Sequence, residues 1–241
     1  MKVEDDDPWK VNRREFLTLS AGLLVAMSLA GAEVCGAAEV EFPEERCGGT
    51  QETQKRVLVA YASKYGSTGG VADAIGKALC GKDLAADVLL TRNVGELSSY
   101  RAVVIGSPIY RGKWLPEAAD FLKRNGEALG RMPVALFLVC MNLAQPTAEK
   151  RAEVSSYVDR VLGHAPGLKP VGFGTFAGAL HYGKLSWLNR KILRSKGVPE
   201  GDFRDWNAIR AWTLALTMRR SRIPARTGEA QADVEFAEGG A

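Results

Sequence analysis

From Arg56 onward the chain alternates short apolar, largely β-branched runs with segments whose apolar positions recur every three or four residues. Val57-Leu58-Val59-Ala60-Tyr61 is apolar throughout, the pattern of a strand buried on both faces. Gly69 to Leu79 carries Val71, Ala74, Ile75, Ala78 and Leu79 on one stripe and predicts a helix. A second strand is expected over Asp87 to Leu90, and a third over Ala102 to Ile105, ending in Gly106-Ser107-Pro108. Pro116 to Asn125 reads as a helix with proline in its first position, where the missing amide hydrogen costs little. Val134 to Val139 is a fourth strand, and Thr147 opens a helix running towards Leu162. Val171 to Leu180 is a fifth, glycine-interrupted strand region, after which Asp205 can cap a final helix from Trp206 to Met218.

Strands separated by helices imply a doubly wound parallel sheet with helices on both faces. Five such strands allow the order 2-1-3-4-5, which opens a ligand crevice beyond the carboxyl ends of strands one and three. The two loops leaving those strands carry the least ordinary residues of the chain.

The ends read differently from the middle. Asn12-Arg13-Arg14-Glu15-Phe16-Leu17 precedes a moderately apolar stretch, Leu17 to Ala32, with small residues at Ala30-Gly31-Ala32 and Gly36-Ala37-Ala38. This is the layout of a secretory signal over residues 1–38, and its arginine pair resembles the twin-arginine type. The resemblance implies export of a protein already folded, often around a cofactor, to the periplasm or the outer face of the cytoplasmic membrane. The apolar stretch is shorter than the roughly 20 residues that span a bilayer. Residues 39–54 read as a polar linker, 55–218 as the folded domain, and 219–241, which lack periodicity, as a disordered tail.

Composition narrows the class further. A chain of 241 residues with 46% hydrophobic and 25% charged residues suits one soluble domain with extensions. Without residues 1–38 the formal charge rises from +4 to +6, so an acidic docking face for a basic redox partner is not what the composition offers. Nothing points to nucleic acid. Cys35, Cys47, Cys80 and Cys140 show no metal-ligand spacing, and the only histidines are His164 and His181, so no metal site is expected. Cys80 and Cys140 read as small buried apolar residues, with no disulfide framework.

The candidate chemistry starts at Ser63-Lys64-Tyr65-Gly66-Ser67-Thr68, which joins the first strand to the first helix. Unpaired amides at the helix start and the helix dipole make such a junction an anion site. Ser63, Ser67 and Thr68 add hydroxyl donors, Gly66 allows a left-handed backbone, and Lys64 adds charge. The loop lacks the Gly-x-Gly-x-x-Gly spacing of dinucleotide folds and the Gly-Lys-Ser/Thr ending of a P-loop. It resembles the first loop of the flavodoxin family, Ser/Thr-x-Thr/Tyr-Gly-x-Thr, with Ser63, Tyr65, Gly66 and Thr68 in register. That resemblance covers roughly Lys55 to Met218, implies a flavodoxin-like fold, and implies non-covalent FMN.

By the same resemblance, two later loops flank the flavin ring. The loop after strand three holds Ser107, Pro108, Ile109, Tyr110, Arg111 and Gly112, then Trp114. Tyr110 or Trp114 is a candidate to stack on the ring, or both simply pack the loop; Ser107 is a candidate for its polar edge, and Gly112 for a peptide that reorients near it. After strand four, Cys140, Met141 and Asn142 offer backbone contacts and one amide, without the aromatic residue that flavodoxins often place there.

Between the fifth strand and the last helix lies a basic insertion, His181 to Arg204, with no acidic residue before Glu200. Leu185, Leu188 and Ile192 share a helical face beside Trp187. A basic amphipathic segment suits a peripheral membrane surface or an anionic substrate, or it is a solvated helix covering the sheet edge. Together with Ala177-Gly178-Ala179-Leu180-His181-Tyr182 and the Asp205-Trp206 helix start, it resembles the flavodoxin-fold, menaquinone-dependent protoporphyrinogen dehydrogenases. The resemblance implies an oxidoreductase that passes electrons from a porphyrinogen through FMN to a quinone. Arg190, Lys191 and Arg194 are then candidates for propionate carboxylates. No catalytic acid or base stands out. The alternative is an exported electron-transfer flavodoxin serving a protein partner.

Overall fold

The structure, a computed structural model, describes residues 40–48, 56–82 and 84–220. The expected signal, and the tail from residue 221 onward, lie outside the described residues. At the centre is β2 (Arg56–Tyr61), whose side chains alternate between two cores: Leu58 and Ala60 enter one, and Val57, Val59 and Tyr61 the other. Burial on both faces is what its unbroken apolar run requires.

Parallel strands flank β2 on either side: β3 (Ala86–Leu90) and β4 (Tyr100–Tyr110), then β6 (Val134–Val139) and β7 (Gly172–Phe176). The spatial order β3-β2-β4-β6-β7 is the predicted 2-1-3-4-5. One face is covered by α1 (Ser67–Cys80) and α6 (Trp206–Arg220), through Val71, Ile75, Leu79, Ile209 and Trp212. The other face is covered by α2 (Pro116–Arg124) and α4 (Ala148–Leu162), through Phe121, Leu122, Val154 and Val161; α3 (Gly126–Leu129) adds Leu129. The caps are those the sequence suggests. Thr147 Oγ1 accepts from the Lys150 amide at 3.3 Å, and Asp205 Oδ1 from the Ala208 amide at 2.9 Å.

Three features differ from the sequence reading. First, residues read as linker contain β1 (Glu45–Cys47), which adds antiparallel to the sheet edge at β3. Its hold comes from side chains and caps rather than from a hydrophobic pattern. The Tyr61 hydroxyl donates to the Pro43 carbonyl at 2.9 Å, Glu44 Oε1 accepts from the Leu90 amide at 2.8 Å, and Arg56 Nη2 donates to the Cys47 carbonyl at 2.8 Å. A polar run with a proline gives no strand signal, and short edge strands rarely do.

Second, β4 runs on to Tyr110 and turns back as β5 (Lys113–Trp114), so the loop after strand three is a β-hairpin. Third, Cys80 is not a free apolar residue: it forms a disulfide with Cys47, Cα to Cα 6.1 Å, tying β1 to the last turn of α1. The pair is 33 residues apart in sequence, and only the unrecognised strand brings it together. Cys140 is free and buried, as read from the sequence.

Under β1 lies a buried charge. Asp87 is buried and paired with Arg56 at 2.6 Å, and it accepts from the Tyr100 hydroxyl at 3.0 Å. Burial, then Asp87 itself, pushes the Tyr100 phenol up to about 12, so it remains a donor to the carboxylate. The basic insertion is a closed excursion: β8 (Ala179–Leu180) pairs antiparallel with β9 (Gly201–Asp202), and α5 (Trp187–Ser195) lies between them. Leu180, Tyr182 and Leu185 form its small core with Leu193 and Val198.

The Cys47–Cys80 link should contribute about 3–4 kcal/mol through loop closure. The double variant Cys47→Ser/Cys80→Ser, or wild type in reductant, should unfold at correspondingly lower urea; equal midpoints would mean that the clasp stabilises nothing.

Candidate functional site

At the carboxyl ends of β2, β4 and β6 the structure holds a cavity of about 450 Å³. Its floor begins at the β2–α1 junction. Gly66 sits at φ +83°, a left-handed conformation that turns the chain into α1, and its amide donates to Ser63 Oγ at 3.1 Å. A Cβ at Gly66 would lie 3.1 Å from the Glu41 carbonyl oxygen and 3.2 Å from Val40 Cγ1, so the segment leading to β1 backs this loop. Ser67, Thr68 and Gly69 occupy the first turn of α1, where amides have no partner within the helix. Ser63, Lys64, Tyr65, Ser67 and Thr68 line the cavity; Gly66 shapes the loop from behind. Ser67 also joins the loop to the insertion, accepting from the Ala179 amide at 2.8 Å.

The β4–β5 hairpin forms one wall through Pro108, Ile109, Tyr110, Arg111 and Gly112. Arg111 at φ +52° and Gly112 at φ +77° make the two-residue, left-handed turn that matches strand twist. Arg111 is the only non-glycine described residue at positive φ, a local cost of about 1–3 kcal/mol that the hairpin holds in place. Arg160 Nη1 donates to the Gly112 carbonyl at 3.1 Å and anchors the turn to α4.

Two residues expected here lie elsewhere. Ser107 is fully buried outside the cavity lining, donating to the Pro108 carbonyl at 3.1 Å and accepting from the Leu115 amide at 3.0 Å; it closes the hairpin. Trp114 is buried in the core beneath the hairpin, which leaves Tyr110 as the hairpin's aromatic on the cavity. The strand alternation that continues past Pro108 decides this, because it sends Trp114 inward opposite Ile109.

Cys140, Met141 and Asn142 line the cavity beside β6, with Met141 and Asn142 in a 3₁₀ turn, Met141–Leu143. Asn142 Nδ2 donates to Glu153 Oε2 at 2.6 Å, and the Tyr157 hydroxyl donates to the other oxygen of the same carboxylate. Burial foremost, with Glu153 adding, pushes the Tyr157 phenol up to about 12. Burial also pushes the Cys140 thiol up, so it is a thiol and not a thiolate at neutral pH.

The insertion is the opposite wall. Along α5, Asn189, Ile192 and Leu193 face the cavity, followed by Lys196. Asn189 Nδ2 donates to the Tyr65 hydroxyl at 2.8 Å, bridging insertion and first loop. Arg190, Lys191 and Arg194 do not line the cavity. Arg190 donates to the Tyr182 and Leu185 carbonyls at 2.9 and 3.4 Å, Arg194 stacks 4.8 Å above the Tyr182 ring, and Lys191 points to solvent. The cations that do face the cavity are Lys64, Arg111, Lys184 and Lys196, and among the described residues no aspartate or glutamate lines it. The helical phase of α5 carries the distinction: Asn189, Leu193 and Lys196 make one stripe, and the arginines lie off it. Tyr157 and Glu153 escape notice in the sequence because Tyr157 falls on the apolar stripe of α4.

A model of the flavodoxin domain matches residues 58–202. The protoporphyrinogen IX dehydrogenase [quinone] of Leishmania major is 24% identical over 183 residues, covering 71% of this chain and 78% of that protein. Among solved structures, oxidised flavodoxin 2 from Bacillus cereus is 20% identical with a TM-score of 0.45, over 68% of this chain and 99% of that one. A flavoprotein in complex with FMN from Lactobacillus acidophilus is 18% identical with a TM-score of 0.40, over 51% and 93%.

Lys64 Nζ lies 3.9 Å from the centroid of the Tyr110 ring and holds that phenol below its ordinary value. Lys64→Met should therefore raise the Tyr110 pKa; an unchanged phenolate absorbance titration, read against Tyr110→Phe, would disprove the coupling.

Proposed function

The chain belongs to the flavodoxin domain family, and from that premise we propose that it binds FMN in this cavity and passes electrons from a porphyrinogen-like donor to a quinone. One observation carries the reading. The cavity has a hydroxyl-rich helix start with Lys64 beside it, three further cations, Arg111, Lys184 and Lys196, around the rest of its lining, and no described carboxylate. The helix start fits a phosphate: Ser63, Ser67 and Thr68 hydroxyls, the amides of the first turn of α1, and Lys64 would hold it. The walls fit a flat aromatic ring, with Tyr110 on one side and Met141 and Asn142 on another. FMN supplies the two-electron redox chemistry, and the protein supplies binding, orientation and field.

The remaining work falls to this chain's own residues. Arg111, Lys184 and Lys196, which line the cavity, would attract and orient a donor bearing carboxylates, rather than Arg190, Lys191 and Arg194, which do not line it. Those arginines serve instead to fix α5 against the Tyr182 turn. Asn189 and Ser67 hold the insertion over the first loop, which limits water access to the cavity. The name of the Leishmania relative supports both donor class and acceptor.

Purified protein should be yellow and release FMN on denaturation. Gly66→Val should weaken FMN binding by about tenfold or more, because a β-branched residue is disfavoured at this backbone by about 1–2 kcal/mol and its Cβ meets the Glu41 carbonyl. A colourless protein that FMN does not reconstitute would end this reading. Anaerobic reduction by protoporphyrinogen followed by reoxidation with a menaquinone analogue is the decisive turnover test. Reoxidation by a protein acceptor alone would favour an electron-carrier role.

We further propose that the protein works after export. The Arg13-Arg14 segment supports this, and so does the Cys47–Cys80 disulfide, a bond that persists in oxidising compartments. A reporter fused after Ala38 should leave the cytoplasm in a cell with twin-arginine transport, and not when Arg13 and Arg14 are both Lys; a reporter retained inside would refute it.

A further inference from the structure

We propose that the outward face of α5 docks the protein, in the membrane plane, on an anionic lipid surface. Among the described residues the exposed large apolar side chains are Trp187 (75% exposed), Leu188 (48%), Ile192 (39%), Trp206 and Met218. Three of the five fall on one helix of nine residues. Trp206 is covered by the Arg204 guanidinium, 4.4 Å from its ring. Trp187, Leu188 and Ile192 instead share the side of α5 turned away from the small core of the insertion.

Charge identifies what this face meets. Between His181 and Pro199 the chain carries Lys184, Arg190, Lys191, Arg194 and Lys196 and no acidic residue. Of these Lys191, Arg194 and Lys196 are exposed, Lys196 at the cavity mouth, and exposed basic side chains beside a tryptophan and two aliphatic side chains match a lipid interface, with an apolar stratum beneath a negative one. The ring of a tryptophan suits that boundary. At about 1.5 Å per residue the helix is far too short to cross a bilayer, and no described helix is long and apolar enough to do so. The arginine contacts with the Tyr182 turn make the face a fixed platform, since Arg190 and Arg194 hold α5 from beneath.

The platform also adjoins the cavity. Ile192 is exposed on the outer face and lines the cavity as well, so the two surfaces are continuous at the mouth. A quinone dissolved in the bilayer would thus meet the site without crossing water; this clause alone rests on the proposed function.

The test uses the full chain with FMN bound. Brominated phosphatidylglycerol vesicles should quench Trp187, read as the difference between wild type and Trp187→Phe, and phosphatidylcholine vesicles should not. The double variant Trp187→Glu/Leu188→Glu should bind anionic vesicles at least about tenfold more weakly, and wild-type binding should fall with salt. Neither residue lines the cavity, so the variant should keep its flavin absorbance and its turnover with a water-soluble quinone. Absence of Trp187 quenching, or equal binding by wild type and the double variant, would overturn the proposal. So would a dimer in sedimentation velocity that the double variant abolishes while vesicles fail to bind, since a second copy would then be the occupant. Vesicle binding by a protein without quinone turnover would leave the docking intact and remove only the functional reading.

Discussion

Everything at the site depends on β2 being paired on both edges and buried on both faces. A strand so enclosed has no free surface along its length, and a ligand can reach it only at its end. The chain leaves β2 into α1 on one face of the sheet and leaves β4 towards α2 on the other. The two connections diverge, and a crevice opens between them. The glycine turn into α1 and the hairpin beyond β4 are consequences of that divergence. Each must reverse the chain at the lip of the crevice, and each does so with backbone at positive φ.

The crevice would be an open notch if the sheet ended it. The insertion turns it into a cavity. Its ends are sewn together by the β8–β9 pair, its own core packs under α5, and Met141 and Tyr65 pack against that core from the two loops. Polar links do the rest: Ala179 to Ser67, and Asn189 to Tyr65. A family fold thereby acquires a wall that the five-stranded frame does not supply, and the chemistry of that wall is a matter of which α5 positions point inward.

The parallel frame was legible because each of its strands is a short apolar run bounded by turns, and each helix carries a stripe of the right period. Val57 to Tyr61 could be little else. The edge strand β1 was not legible, since Pro43, Glu44 and Cys47 act through specific partners forty or more residues away in some cases, such as Glu44 with Leu90. The first loop was legible as a hydroxyl-rich strand-to-helix junction turned by Gly66, and the structure places it on the cavity. The hairpin wall was half legible: Tyr110 faces the cavity, but the roles of Ser107 and Trp114 hang on how far β4 extends, a boundary that no pattern in the sequence marks. For the cations the residue types were readable and the phase of the helix was not. Arg190 and Arg194 look as suitable as Lys196 until α5 is placed.

The two ends of the sheet treat charge in opposite ways. Near the amino end of β2, Asp87 is buried with Arg56 at 2.6 Å and Arg46 at 3.6 Å, and the hydroxyl of Tyr100 completes its shell. A buried carboxylate without such partners would be strongly destabilising, so this cluster serves the fold. At the carboxyl end, Lys64, Arg111, Lys184 and Lys196 surround a cavity, and among the described residues none of them forms an ion pair. Cations gathered without counter-charge repel one another and add nothing to folding. Their repulsion is relieved only when something negative enters. A phosphate at the helix start and carboxylates at the rim would each do so. The arrangement therefore makes sense as a binding surface and not as a stabilising one, which is why the cavity, rather than the better-paired cluster below it, is where function is to be sought.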